Sequence, residues 1–321
     1  MTTRRPLASF LFAALGVFVP AWGHAEDSLP WVISVTEEND KFAPGNKDRY
    51  YTQGLKVAIN RGDDVFFSFA QEINTPNDTL NPPSVLPPYT DLPYSGALYV
   101  GAGFGRVFDR GGRRDVFFAV EAKLGVIGPS AGGETVQNKF HQLIGTAQAE
   151  GWGTQLPDEI LANIDVELRR RFDLDGPETD RWDFIARSGL MLGTMRTQFL
   201  LGGQLRWGDG LRRSWGQTYL RHSTSYDPAE TLRNPEKSRP AYWLFADSQV
   251  EVVARNYATD GTNFKDSRSV AREPIVLQTS VGISFQYDIW SLSYYLAART
   301  REFETQDGMH LFGGLKAQLL Y

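Results

Sequence analysis

The stretch "IVLQTSVGISFQYDIWSLSYYLAART" occupies residues 275–300 and is written in period two. Ile275, Leu277, Thr279, Val281, Ile283 and Phe285 alternate with Gln278, Ser280, Gly282 and Ser284. After a short break, Trp290, Leu292, Tyr294 and Leu296 alternate with Ser291 and Ser293. Successive side chains of a β-strand point to opposite faces, so each run has one apolar and one polar face.

The same pattern runs through the chain. Val120, Ala122, Leu124 and Val126 alternate with Glu121, Lys123 and Gly125; Ile164, Val166 and Leu168 alternate with Asp165, Glu167 and Arg169; Leu315, Ala317, Leu319 and Tyr321 alternate with Lys316 and Gln318. Such strands fit a soluble sandwich with apolar faces inward, or a transmembrane barrel with apolar faces toward lipid. Three features favour the barrel. Many runs reach ten residues or more, which matches a tilted membrane-spanning strand. Aromatic residues make up 13% of the chain and gather near strand ends (Tyr242 and Trp243, Tyr287 and Trp290, Tyr321), where interfacial girdles sit. The first 25 residues read as a secretory signal: Arg4 and Arg5, an apolar run from Leu7 to Val19, then Gly23 and Ala25 ahead of Glu26. Residues 26–321 are then one outer-membrane β-barrel.

Several classes are excluded. Beyond the signal no run of 18 apolar residues occurs, which rules out transmembrane helices. The chain has no cysteine, so an exported protein of this size is held by a large core or by closure in lipid rather than by disulfides. The formal net charge is −5, or about −7 without Arg4 and Arg5, which gives no support to nucleic-acid binding.

The periodicity predicts an all-β, antiparallel barrel of about twelve strands, an even number as bacterial barrels require. They fall near residues 30–38, 51–60, 64–71, 95–107, 115–126, 161–173, 181–193, 196–207, 241–255, 274–286, 289–300 and 309–321. With both termini in the periplasm, "EENDKFAPGNKDRY" becomes the first outer loop, "NTPNDTLNPPSVLPPYTDLPY" the second and residues 127–160 the third. The same parity puts the long 208–240 connection on the periplasmic side, which normally has short turns.

The third loop contains a helix signature, "GGETVQNKFHQLIGT". Two glycines precede Glu134 in the first turn, and Val136, Phe140, Leu143 and Ile144 share one side. Gln137 and His141 are four residues apart and share a face. An imidazole is suited to general-base work near neutral pH, and from this loop it can meet the acidic cluster of the first loop above the rim. That cluster can equally be a solvated turn, since Asn, Asp, Gly and Pro favour loops for backbone reasons. Lys47, Arg49 and Lys139 suit either phosphate binding or plain solvation.

"NDKFAPGNKDRYYTQG" (residues 39–54), "AQEINTP" (70–76), "VQNKFHQLIG" with "GWGTQLPDE" (136–159), and "ARNYATDGTNFKDS" (254–267) together resemble the lipid A 3'-O-deacylase family of outer-membrane barrels, named LpxR. The resemblance extends over essentially the whole chain after the signal. It implies an enzyme of the outer membrane that uses Ca²⁺ to hydrolyse the 3'-linked acyloxyacyl chain of lipid A, the lipid of lipopolysaccharide. It also implies roles for matching positions: His141 as the base, Asp40 as a metal ligand, Asn39 and Thr52 as donors to an oxyanion or to the metal shell, and Gln137 as an orienting group. The family has an acid shortly after its His, whereas "QLIGTA" follows His141 here. Glu150 is the nearest acid and becomes the candidate for that role, on the metal or behind His141.

Two other classes fit a barrel with this pattern. A phospholipase-type outer-membrane hydrolase would pair a Ser with His. A passive porin or adhesin would need no base, although a twelve-strand lumen is narrow and must house Glu121, Lys123, Glu167 and Arg169.

Overall fold

Period-two strands bury their polar face only if the sheet closes on itself, and the chain does so. The structure is a computed structural model describing residues 31–45, 48–61, 65–81, 87–109, 114–176, 181–228 and 239–320. The expected signal segment and Tyr321 lie outside these residues. The twelve strands are β1 (Trp31–Asn39), β2 (Tyr50–Arg61), β3 (Val65–Thr75), β4 (Ser95–Asp109), β5 (Arg114–Ile127), β6 (Glu159–Asp173), β7 (Trp182–Gly193), β8 (Arg196–Asp209), β9 (Ala241–Asn256), β10 (Ile275–Tyr287), β11 (Trp290–Arg299) and β12 (His310–Leu320). Each pairs antiparallel with its sequence neighbours, and β1 pairs with β12 from Val32 opposite Leu320 to Asn39 opposite Gly313, which closes the barrel.

Side-chain alternation separates lumen from lipid. In β10, Leu277, Val281, Ile283 and Phe285 are exposed on the outer wall, while Gln278, Ser280 and Ser284 are buried in the lumen. Trp31, Trp182, Trp207, Tyr242, Tyr287 and Trp290 are exposed at the strand ends that the parity places on the periplasmic side, where an aromatic girdle anchors the wall in the interface.

The connection after β8 does not stay in the periplasm. Residues 214–226 turn into the lumen, where Trp215, Tyr219, Leu220, Arg221, His222 and Tyr226 are buried. The luminal charges hold this segment in place. Glu38 accepts from the Leu220 main-chain N–H at 2.8 Å, Glu167 from that of Thr224 at 3.0 Å and Glu121 from that of Ser225 at 3.0 Å, while the Arg169 guanidinium donates to the Trp215 carbonyl at 2.7 Å. Buried charges must be paired, so a lumen lined with Glu and Arg needs a polar filler, and that need explains the length of a connection that would otherwise be a short turn. The filled lumen does not fit the passive-pore reading.

Candidate active site

The site lies on the outside of the wall, at the outer ends of β1 to β4. In β3, Ser68, Glu72 and Asn74 face the lumen, so Gln71 and Ile73 face outward, yet Ile73 is fully buried. The third outer loop covers them. Gln71 donates to the Ala131 carbonyl at 2.6 Å, and Ile73 packs with Tyr94, Ala149, Trp152 and Val136. Gly96 on β4 allows the close approach: a Cβ there would come within 3.2 Å of the Ala131 methyl.

Over this patch lies α1 (Gly133–Ile144), closed by Gly145 in the left-handed conformation. Its packing reverses that of an ordinary amphipathic helix. Gln137 and His141 are buried against the wall, while Phe140, Leu143 and Ile144 are exposed, Leu143 at 70%. A helix that turns its polar face to the protein and its apolar face outward suits a membrane edge better than water.

His141 is 1% exposed and held at both ring nitrogens. Its Nδ1 lies 2.7 Å from the Ala147 carbonyl, and its Nε2 lies 2.7 Å from Oδ2 of Asp48. A carbonyl can only accept, so Nδ1 bears a proton and Nε2 is the nitrogen that gains or loses one. Gln137 steadies the same carboxylate, donating to Oδ1 of Asp48 at 3.1 Å while its own carbonyl accepts from the indole of Trp152 at 2.9 Å.

The first outer loop supplies the other half. Asn39 ends β1 and caps the 3-10 turn Asp40–Phe42, its side-chain oxygen accepting from the Lys41 N–H at 2.9 Å. Asp40 is 2% exposed; its Oδ2 accepts from the Arg49 N–H at 2.7 Å, and its Oδ1 is buried with no partner. Burial, and then the neighbouring Asp48 carboxylate, push the Asp40 carboxyl well above the usual carboxylate range, against the opposing pull of the Arg49 N–H. Chain re-entry into β2 is irregular. Tyr50 has a positive φ of 62°, and the β2–β3 register shifts between Tyr51 and Gln53, so Thr52 is an extra residue in its strand and meets the Thr75 hydroxyl at 2.6 Å.

Asn39, Asp40, Thr52, Gln137 and His141 thus gather at one end of the barrel. Glu150 does not join them. It is exposed, and its main chain bonds to Thr79 and to the Tyr94 hydroxyl. The physical reason is the turn after Gly145: the Ala147 carbonyl is drawn onto His141 and the Ala149 N–H onto Asn138, which carries the chain past the site before Glu150. Asp48 is the acid at His141. It belongs to the first-loop cluster, but spacing within one loop does not reveal which of its acids faces a helix 89 residues further on. Arg49 is committed to Asn77 and Asp307, Lys139 is exposed, and Lys47 lies outside the described residues.

A hard cation fits the donor set. The Asp48 carboxylate acts on that of Asp40, one oxygen of Asp40 is buried with no hydrogen-bond partner, and oxygen is the donor Ca²⁺ prefers. Among the described residues no group of three or more His, Cys, Asp or Glu is placed to hold a metal ion, so the remaining ligands would be carbonyl, hydroxyl or water oxygens.

The family described as outer membrane protein LpxR matches residues 10–321. The chain belongs to the LpxR family. LpxR from Salmonella typhimurium superposes with a TM-score of 0.75 over 90% of this chain and 100% of that one, at 20% identity, and shares the fold. The KdgM porin in complex with oligogalacturonate (TM-score 0.37, 10% identity, 90% and 99% covered) and the β-domain of the Bordetella autotransporter BrkA (0.39, 12%, 92% and 98%) are only distantly similar. No curated protein matches the chain. As a member of the LpxR family this is an outer-membrane protein, and its site lies on the barrel's outer face.

Proposed function

We propose that this LpxR-family barrel is a lipid A deacylase that hydrolyses the ester of the 3'-linked acyloxyacyl chain, with His141 as general base and Ca²⁺ as cofactor. The observation that supports this most is the placement of His141: a buried imidazole, fixed by Ala147 and Asp48, on the lipid side of the wall at its outer edge. Esters of outer-leaflet lipids lie at that depth.

In this reading Nε2 of His141 takes a proton from water as the water oxygen adds to the ester carbonyl carbon. The same proton then passes to the departing sugar oxygen, giving a free carboxylic acid and an alcohol. The 2.7 Å between Nε2 and Asp48 leaves no room for a water, so the reacting water displaces that carboxylate from the ring. Asp40 and Asp48 would hold the cation, which when bound polarises the ester carbonyl. Asn39 and Thr52 line the same rim and can donate to the developing oxyanion. A phospholipase-type reading needs a Ser hydroxyl on the base, and among the described residues the ring nitrogens of His141 are met by Ala147 and Asp48 rather than by a Ser.

Mass spectrometry of lipid A treated with wild type or His141→Ala, in calcium and in chelator, tests the reading. Loss of one acyloxyacyl unit that needs both His141 and Ca²⁺ is expected. Cleavage of phospholipid alone would replace the deacylase with a phospholipase, and no cleavage of either lipid would remove the enzyme.

A further inference from the structure

The tip of the luminal segment stands directly behind the site. Leu220 and Arg221 are buried against the inner face of β1 and β2, and each grips a wall residue that is next in sequence to a site residue. The Leu220 N–H donates to Oε1 of Glu38 at 2.8 Å, and Glu38 precedes Asn39 and Asp40. The Arg221 guanidinium lies 4.7 Å over the ring of Tyr51, and Tyr51 precedes Thr52. The two wall residues are themselves joined, the Tyr51 hydroxyl donating to Oε2 of Glu38 at 2.8 Å.

Tyr51 reaches the lumen because of the bulge in β2. The register shift between Tyr51 and Gln53 turns its ring inward, while Thr52 meets Thr75. Gly54 makes room: a Cβ there would overlap the Tyr51 hydroxyl and come within 2.9 Å of the Leu220 side chain. Phe312 meets the ring edge-on with centroids 5.5 Å apart, and His310 meets the Tyr51 carbonyl at 3.1 Å. Arg221 is fixed in turn by the Glu302 carboxylate, at 3.0 and 3.3 Å. A planar guanidinium that spans a carboxylate and an aromatic face is a rigid prop, which an ammonium on a flexible stem is not.

We infer that Arg221 is a positioning residue for the hydrolysis: from inside the lumen it holds the Tyr51 ring and so fixes the bulge that presents the Thr52 hydroxyl to the reacting ester. The inference rests on the deacylase reading only for its substrate. A bulge leaves one residue without a ladder partner, so its direction depends on what its neighbours pack against. Misplacing a donor by about 1 Å from a residue far from the chemistry costs up to ~10²-fold in rate.

The test exchanges the buried pair as a unit, Arg221→Gln with Glu302→Gln, so that no uncompensated charge is left in the lumen. Arg299 keeps Glu251 and Glu72 keeps Arg196 in that variant. Thr224→Val is the control, since it removes a hydroxyl bond from the same segment to Glu167 on β6. In detergent micelles the double exchange is expected to lose about 10–100-fold in kcat at unchanged KM, whereas Thr224→Val lowers the melting temperature by as much and keeps the wild-type kcat. In a Thr52→Val background the exchange should cost nothing further. Arg221→Lys alone, which keeps the charge without the plane over Tyr51, should lose kcat in the same way. Wild-type kcat in the double exchange, a kcat that falls equally in Thr224→Val, or losses that multiply with Thr52→Val would overturn the inference while leaving the deacylase standing. If wild type cleaves phospholipid but not lipid A, the same cycle on phospholipid decides the inference and the substrate is discarded. Hydrolysis of neither removes both.

Discussion

The indole N–H of Trp152 donates to the Gln137 carbonyl oxygen at 2.9 Å, and through that amide it governs a carboxylate it never touches. Trp152 sits in a 3-10 turn beyond α1, packed against Tyr94 with ring centroids 4.9 Å apart and planes tilted by 48°, so its position is set by packing and its N–H by geometry. Replacement by Phe keeps most of the ring and removes the donor. Gln137 is then free to flip, and Asp48 loses its fixed orientation. Trp152→Phe is expected to lower stability by about 1–3 kcal/mol, the cost of an unsatisfied buried acceptor, and kcat by roughly tenfold with KM unchanged. Urea titration and steady-state kinetics on lipid A measure the two effects; unaltered kcat would show that Gln137 is held by other contacts.

Asp48→Asn separates packing from chemistry. The amide oxygen can still accept from Gln137, but its NH₂ then donates to Nε2 of His141 and occupies the lone pair that must take the water proton. Activity should fall by about 10²–10⁴, the typical contribution of a general base, with little change in melting temperature. Asp48→Ala leaves Nε2 open but removes an oxygen from the cation set, so it should recover part of its activity at high calcium. Equal loss in both variants at every calcium concentration would mean that Asp48 acts only on His141.

Much of this arrangement was legible in the sequence. The barrel follows from runs such as Leu277 to Phe285, because a strict period of two leaves closure as the way to separate polar and apolar faces. The Gln137 and His141 face of α1 also follows from spacing, as does the meeting of that helix with the first outer loop. What spacing does not give is direction across the wall. Phe140, Leu143 and Ile144 read as a face to be buried in a soluble protein, and only the lipid surroundings allow them to remain outside. Asp48 and Trp152 needed three-dimensional pairing, since their partners are 93 and 15 residues away. The luminal segment was hidden for a related reason: its partners Glu38, Glu121 and Glu167 are scattered over three strands.

That segment predicts a silent barrel. With residues 214–226 anchored by Glu121, Glu167 and Arg169, wild type should show no stepwise conductance in planar bilayers. Glu121→Ala removes the acceptor shared by Ser225 and Ser68 and leaves Lys123 to Asp165 alone. It should cost about 3–5 kcal/mol, as breaking a buried charge network does, and produce transient openings. A stable Glu121→Ala barrel with no current would show that the other anchors suffice.

The cation should reveal itself through pH before any activity is measured. Asp40 binds its proton more tightly in the folded protein than in the unfolded chain, where a carboxyl titrates near 3.8. A raised native value adds stability that is fully present below 3.8 and is lost as pH rises from there through the raised native value, because an uncompensated buried charge then faces Asp48. Bound Ca²⁺ reverses the sign: it selects the ionised carboxylate, so its stabilisation grows with pH and competes with the proton at low pH. At a hundredfold excess over Kd, calcium should add about 2.7 kcal/mol near neutral pH and progressively less on acidification. Asp40→Asn should melt higher than wild type in chelator and gain nothing from calcium. Thermal melts in calcium and in chelator across pH 4–8 check this. A calcium gain that does not vary with pH, or that survives in Asp40→Asn, would place the cation elsewhere on the barrel.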